Sequence, residues 1–222
     1  MNGNVVTWEP SRDQRRFVRA FGDKVLNQEA GLFIGAGVSR DAGFVDWKGL
    51  LAEAADELDL DITKEHDLLA LAQYHVNGRS GRGEINQQLI DAFTRDASLT
   101  PVHEILARLP IDTVWTTNYE QLLEKAYDAA GRRVEVKLSI ENLAQARTGR
   151  DVTIYKMHGC VTRSHEAVLT KQDYEIYDVG RRLFTDSLKG DFIEKTLLFL
   201  GFSFSDPNVE RILSKVREQL GS

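Results

Sequence analysis

Several features whose presence would place a chain outside the ordinary globular class are scarce or missing here. The one cysteine, Cys160, has no partner for an intrachain disulfide and belongs to no cysteine cluster that could hold a structural zinc. Positive charge is not in excess: 28 Lys and Arg against 34 Asp and Glu give a formal net charge of −6, which offers no general attraction to nucleic acid or an anionic membrane. No run of about 18 apolar residues exists to span a bilayer. The opening segment, Met1-Asn2-Gly3-Asn4-Val5-Val6-Thr7-Trp8-Glu9-Pro10, is too polar for a secretory signal. Internal repeats and low-complexity tracts are also missing. These absences predict a soluble, cytoplasmic protein with no direct nucleic-acid or membrane partner.

What is present suits a sizeable core: 222 residues, 42% hydrophobic and 28% charged. Residues 11–29 carry Phe17, Val18, Phe21, Val25 and Leu26 at helical spacing behind Ser11, a candidate N-cap, and predict an amphipathic helix serving as a lid or packing element. Gly31-Leu32-Phe33-Ile34 reads as a buried strand closed by glycine. Residues 47–109 then read almost wholly as helix, with apolar positions such as Leu50, Leu51, Leu68, Leu71, Tyr74, Ile85 and Leu89. A βαβ crossover needs one helix, so this stretch predicts an inserted helical layer. Within it, the turn Asn77 to Gly83 carries Arg79 and Arg82, which read as solvated charges, phosphate contact being the other reading. The second half alternates: strands near 112–117, 133–138, 152–157 and 196–201, the last read as buried, with helices at 119–130, about 170–195 and 206–219. That pattern predicts an α/β fold, a Rossmann-like, doubly wound, mainly parallel sheet. The chain reads as one domain, 1–222, with 47–109 inserted, either complete or the N-terminal part of something longer.

Four segments follow apolar or β-branched runs: Gly35-Ala36-Gly37-Val38-Ser39, Thr116-Thr117-Asn118-Tyr119, Lys156-Met157-His158-Gly159 and Gly201-Phe202-Ser203. All four can sit at the carboxyl edge of one parallel sheet, where nucleotide sites form. Gly35, Ala36 and Gly37 permit a tight turn that approaches a pyrophosphate, but the fingerprint's third glycine falls at Arg40. A purely structural turn and a phosphate loop stay equally open at that segment taken alone. Ser39 either caps the following helix or bonds a ligand. Asn118 offers an amide that both donates and accepts, or is merely a cap before a helix. His158 can take a proton near neutral pH; His66, His75, His103 and His165 read as packed or exposed bystanders, and Cys160 as a small packing residue. Asp206 either contacts ligand or caps the last helix.

The stretch Gly35 to Lys48 resembles the opening motif of the sirtuins, the silent-information-regulator family, with Asp46, Trp47 and Lys48 where that family has Asp-Phe-Arg over the nicotinamide ribose. Thr116-Thr117-Asn118 is similar to the family's Thr-Gln-Asn, with Thr117 for the glutamine and Glu120 for the usual following aspartate. His158 before Gly159 matches the catalytic histidine, and Gly201 with Ser203 matches the loop that receives the adenosine-side ribose. The motifs stand in family order and cover residues 31–207. The resemblance implies NAD as substrate, no metal, Asn118 and His158 as catalytic residues, and Gly35, Ala36, Gly37, Ser39, Asp46, Trp47, Gly201 and Ser203 as binding residues. The family's four-cysteine zinc module has no counterpart here, and with the peptide partner gone water is the obvious nucleophile. That implies an NAD glycohydrolase, with an NAD-dependent deacylase or a non-catalytic nucleotide-binding module as alternatives. Trp115 to Tyr119, Gly201 to Asn208 and Ala72 to Val76 look like the sirtuin-like domains of bacterial antiphage systems. This second likeness implies NAD depletion on infection, restrained until a homo-oligomer forms or an activating partner (an ATPase, an Argonaute-like protein or a sensor domain) engages.

Overall fold

The computed structural model describes residues 9–79, 81–145, 148–204 and 206–220. The opening segment up to Trp8, together with Ser80, Ala146, Arg147, Ser205 and the last two residues, lies outside them. Helix α1 (Arg12–Leu26) starts where Ser11 and Gln14 close a reciprocal capping box. Five strands follow: β1 (Ala30–Ile34), β2 (Thr113–Thr116), β3 (Val134–Lys137), β4 (Val152–Lys156) and β5 (Thr196–Leu200). They form one sheet of order β3-β4-β2-β1-β5, and every pairing is parallel.

Side-chain alternation along the strands divides the interior in two. Ala30, Leu32 and Ile34 of β1, Val114 of β2 and Val152 and Ile154 of β4 enter one core with Leu106, Leu123 and Tyr127. Phe33 and Trp115 point the other way, into a core with Phe184, Leu188 and Ile212. A parallel sheet covered on both faces needs strands apolar on both sides, which is why these runs are continuous rather than alternating. The helices behind the first core are α6 (Pro101–Arg108) and α7 (Leu122–Ala129); behind the second lie α11 (Arg182–Glu194) and α12 (Pro207–Leu220). This is the doubly wound arrangement that the alternation predicts.

Between β1 and β2 the chain forms α2 (Trp47–Leu50), α3 (Ala52–Glu57), α4 (Leu68–Gly78) and α5 (Gly83–Phe93) before α6. Their apolar faces make a third core, in which Leu51, Ala55, Leu71, Ile85 and Leu89 pack with Tyr119 from the loop after β2 and Leu169 from the loops after β4. The helical layer therefore roofs the carboxyl edge of the sheet. Shorter helices α8 (Ile140–Ala144), α9 (Lys171–Glu175) and α10 (Tyr177–Gly180) complete the chain.

Four local expectations are corrected. The apolar stripe of α1 is only half used: Phe21 and Val25 lean on the first core, while Phe17, Val18 and Leu26 face solvent. Strand β5 is not buried but half-exposed, because it is an edge strand and pairs on one side only. Tyr74 points outward from α4, away from Leu71 and Ala72. Arg79 is exposed, as a solvated charge would be, but it is engaged in ion pairs, and Arg82 is partly buried and engaged as well. Arg79 pairs with Glu57 and Glu84, and Arg82 pairs with Asp173 and donates to the Ala167 carbonyl.

At the switch point between β1 and β5 the two strand-end loops touch backbone to backbone. Gly35 N–H donates to the Leu200 carbonyl and Gly37 N–H to the Gly201 carbonyl, both at 2.9 Å. A Cβ on Gly35 would lie 2.5 Å from Gly201 O, and one on Gly37 2.8 Å from Gly201 Cα. Gly201 itself has φ +62° and faces Val38 N. Gly201→Ala therefore adds a clash to an unfavourable dihedral, with an expected loss of about 1–3 kcal/mol. Urea unfolding measures it; an unchanged midpoint contradicts the packing.

Candidate active site

Asn118 leaves the end of β2 fixed on one side by acceptors. Its Nδ2 donates to the Gly35 carbonyl (3.2 Å), Ser39 Oγ (3.2 Å) and Glu120 Oε1 (2.9 Å). Because a carbonyl and a carboxylate flank the amide nitrogen, turning the group over would set oxygen against oxygen, so the orientation is determined. Among the described residues Asn118 Oδ1 has no hydrogen-bond partner, although it is buried. An unpaired buried carbonyl is costly, and such groups call for an explanation in function or in a missing ligand.

Glu120 is the hub of this arrangement. It is buried, accepts from Ser39 Oγ and Asn118 Nδ2 through Oε1, and accepts from Leu122 N–H at the start of α7 through Oε2. The Glu120 backbone is held in turn by Lys156 Nζ, which donates to its carbonyl and pairs with Glu124 Oε1 at 2.9 Å. Sequence reasoning notes Glu120 only as a replaced aspartate and misses Lys156. A lysine in the last position of a buried strand, just before Met157-His158-Gly159, was the available signal.

Asn118 lines a cleft whose empty space, the open solvent at its mouth included, is about 410 Å³. Ala36, Ser39, Phe44, Asp46, Trp47 and Tyr119 share its wall. Asp46 accepts from Gly49 N–H and so caps α2, which turns Trp47 toward the cavity. Ala36, Ser39, Asp46 and Trp47 are thus gathered around Asn118. Gly35, Gly37 and Gly201 are not on this wall; they hold the β1 and β5 loops together behind it. Ser203 is exposed and also absent from it. Of the loop amides a phosphate would seek, those of Gly35, Gly37, Val38 and Ser39 all donate within the protein.

His158 is placed differently. It is wholly buried and absent from the cavity wall, with Tyr119 on that wall standing 6.4 Å away, ring centre to ring centre. Tyr174 and Tyr177 enclose it at 5.4 and 6.3 Å. Its Nε2 lies 3.3 Å from Asp206 Oδ2 and 3.5 Å from Tyr174 Oη, while Nδ1 is buried without a hydrogen-bond partner among the described residues. Burial holds the imidazole below its ordinary pKa of 6.5, Asp206 counteracts this, and Arg181 adds to it, so the ring is neutral at pH 7. Both side chains are thus buried at the carboxyl edge of the sheet, but only Asn118 lines the cleft. Among the other histidines, His75 contacts Glu57 within the Arg79 cluster and His103 completes the cap of α6 with Thr100, while His66 and His165 are exposed. Cys160 is buried and unpaired.

Comparison with known proteins adds to this geometry. A family model for the SIR2-like domain matches residues 112–222. The chain is 47% identical over 209 residues to the "NAD(+) hydrolase ThsA" of Cytobacillus dafuensis, covering 94% of this chain and 42% of that protein. It is 48% identical over 202 residues to the like-named protein of Bacillus cereus (strain MSX-D12), covering 90% and 42%. With "Defense-associated sirtuin 2" of Bacillus subtilis it shares 30% identity over 196 residues, 84% of this chain and 19% of the relative. The chain thus spans less than half the length of these relatives. A parallel sheet that brings Asn118 and the β1 loop to one cavity at its carboxyl edge, matched by that family model from β2 onward, belongs to the SIR2-like domain family.

Proposed function

We propose that this domain hydrolyses NAD+ at the bond between nicotinamide and ribose, releasing nicotinamide and ADP-ribose. The observation that carries the reading is Asn118 Oδ1: a buried acceptor with no partner among the described residues, aimed by three hydrogen bonds on the other end of its amide, on the wall of a cavity. The names of the ThsA relatives support it. Glu120 draws on Nδ2 and so enriches Oδ1 in negative charge, which suits it to orient a water or ribose hydroxyl beside the cationic sugar that forms as nicotinamide leaves. His158, neutral at pH 7, takes the proton of a ribose hydroxyl or of the attacking water. Asp46 and Trp47 hold the nicotinamide end and Ala36 and Ser39 border the adjoining part of the dinucleotide, while Gly35, Gly37 and Gly201 act from behind the wall by holding the two loops together.

His158 and the Asn118 cavity are separated by Tyr119, so turnover requires Tyr119 or Tyr174 to move. This is the physical basis for restraint: the domain alone turns over slowly, and a homo-oligomer or an activating ATPase, Argonaute-like or sensor partner stabilises the open arrangement. NAD+ depletion in a bacterial cytoplasm under phage attack is the corresponding role. Among the described residues no helix is long and apolar enough to cross a membrane.

Incubation with NAD+, with and without an acetylated peptide, followed by mass spectrometry of the nucleotides tests the reaction. Free ADP-ribose without peptide is expected. Acetylated ADP-ribose made only with peptide identifies a deacylase, and bound, intact NAD+ identifies a non-catalytic module. Specific activity is expected to rise with protein concentration; full, concentration-independent turnover by a monomer contradicts the restraint.

A further inference from the structure

We propose that Asp206 is the positioning residue of His158: it fixes the hydrogen on Nε2 and leaves Nδ1 as the lone-pair acceptor for a substrate hydroxyl. The proposal rests on the reading of His158 as the proton acceptor in NAD+ cleavage.

The hydrogen bonds around the ring carry the argument. Tyr174 Oη donates to Asp206 Oδ2 at 3.1 Å, and burial keeps that hydroxyl protonated by pushing its pKa far above the usual value. Its single hydrogen is thereby spent on the carboxylate. His158 Nε2 then faces only acceptors, Asp206 Oδ2 at 3.3 Å and the tyrosine oxygen at 3.5 Å, so Nε2 carries hydrogen. A neutral imidazole has one N–H, and Nδ1 is therefore the base. That atom is the one left buried and without a partner among the described residues.

Among the described residues the other neighbours of the ring are engaged elsewhere. Tyr119 Oη donates to the Val168 carbonyl, Tyr177 Oη donates to the Met157 carbonyl, and Arg181 donates to the carbonyls of Leu138 and Glu166. These residues, with Tyr174 and Asp206, are the titratable and charged groups that face the ring from the loop after β2, from α9 and α10, and from the starts of α11 and α12.

Asp206 is itself held rigidly. Its Oδ1 accepts from Val209 N–H at 3.1 Å and its carbonyl accepts from Glu210 N–H, so the carboxylate is also the cap of α12. The loop that delivers it contains Phe204 at φ +56°, an unfavourable backbone for a bulky aromatic, locked by ring contacts to Phe199 and Phe202 at 4.8 and 5.2 Å. The two open readings of Asp206, helix cap or ligand contact, thus resolve into a cap whose second oxygen reaches the imidazole.

Asp206→Asn separates the two tasks, because asparagine caps a helix as well as aspartate does but gives Nε2 no charged acceptor. Two measurements on the 222-residue chain are needed. Ring 15N chemical shifts of histidine-labelled protein at pH 7 are expected to show His158 as the Nε2–H tautomer in the unaltered chain and as a mixture in Asp206→Asn. In NAD+ hydrolysis, kcat is expected to fall by roughly tenfold to a hundredfold, the scale of a misplaced general base, with KM and melting temperature little changed. The acid limb of the pH profile is expected to move to lower pH, since a negative charge that favours imidazolium is gone. The same tautomer in both proteins overturns the proposal, as does a wild-type kcat and pH profile in Asp206→Asn. If the unaltered chain hydrolyses no NAD+, that rejects the enzymatic reading while the chemical shifts still decide the pairing.

Discussion

Asn118→Ala is expected to lower kcat for NAD+ hydrolysis by about a hundredfold or more, the scale seen when one preorganised electrostatic group is removed from an active site. The loss follows from Oδ1, an acceptor without a hydrogen-bond partner among the described residues, on a side chain that lines the cleft. Folding should suffer much less. Glu120 keeps the Ser39 hydroxyl and Leu122 N–H as donors, and the Asn118 backbone N–H keeps Thr116 Oγ1. What disappears is the donor to Gly35 and Glu120, costing about 1–3 kcal/mol. Asn118→Asp supplies the contrast: it keeps the shape but sets a second carboxylate against Glu120, 2.9 Å from where the amide nitrogen stood. That variant should lose both turnover and more stability than the alanine. Steady-state kinetics beside thermal melts separate the outcomes, and an Asn118→Ala protein with wild-type kcat removes Asn118 from the mechanism.

Strands β1, β2, β4 and β5 were legible as short runs of apolar or β-branched residues ended by glycine or a polar residue, whereas β3, Val134-Glu135-Val136-Lys137, alternates with charges. Leu32 and Ile34 could not be assigned to one core and Phe33 to the other until the layers were seen, but their burial was plain. Asn118 at the end of β2 was legible for the same reason. The surroundings of His158 were not. Tyr174 lies 16 residues along the chain and Tyr119 reaches it from another strand end, and no local pattern reports that three tyrosine rings and a carboxylate converge on one imidazole. Glycine spacing likewise shows that something must come close at Gly35 and Gly37, not that the visitor is Gly201 rather than a phosphate. The charges of Arg79 and Arg82 found their partners on α3, α5 and α9, which only the docking of helices decides.

His158 gives the second large effect, and its burial changes which substitution is informative. Alanine empties a ring-sized space among three tyrosines and leaves Asp206 Oδ2 without the imidazole, so His158→Ala should lose stability, about 1–3 kcal/mol, as well as turnover. Its inactivity alone would not separate catalysis from packing. His158→Gln fills more of the space and can still donate to Asp206, but it has no group that takes a proton near neutral pH. Its melting temperature should stay close to wild type while kcat falls by about a hundredfold or more. The pH profile adds a signature that packing cannot imitate. The base must be neutral, so the rate falls as pH drops through the pKa of His158; because burial holds that value below 6.5, the acid limb of wild type should lie below pH 6.5. The residual activity of His158→Gln should lack that limb. An acid limb above pH 6.5 in the wild type, or a His158→Gln variant that keeps wild-type turnover, would show that the imidazole is a packed bystander and that some other group takes the proton.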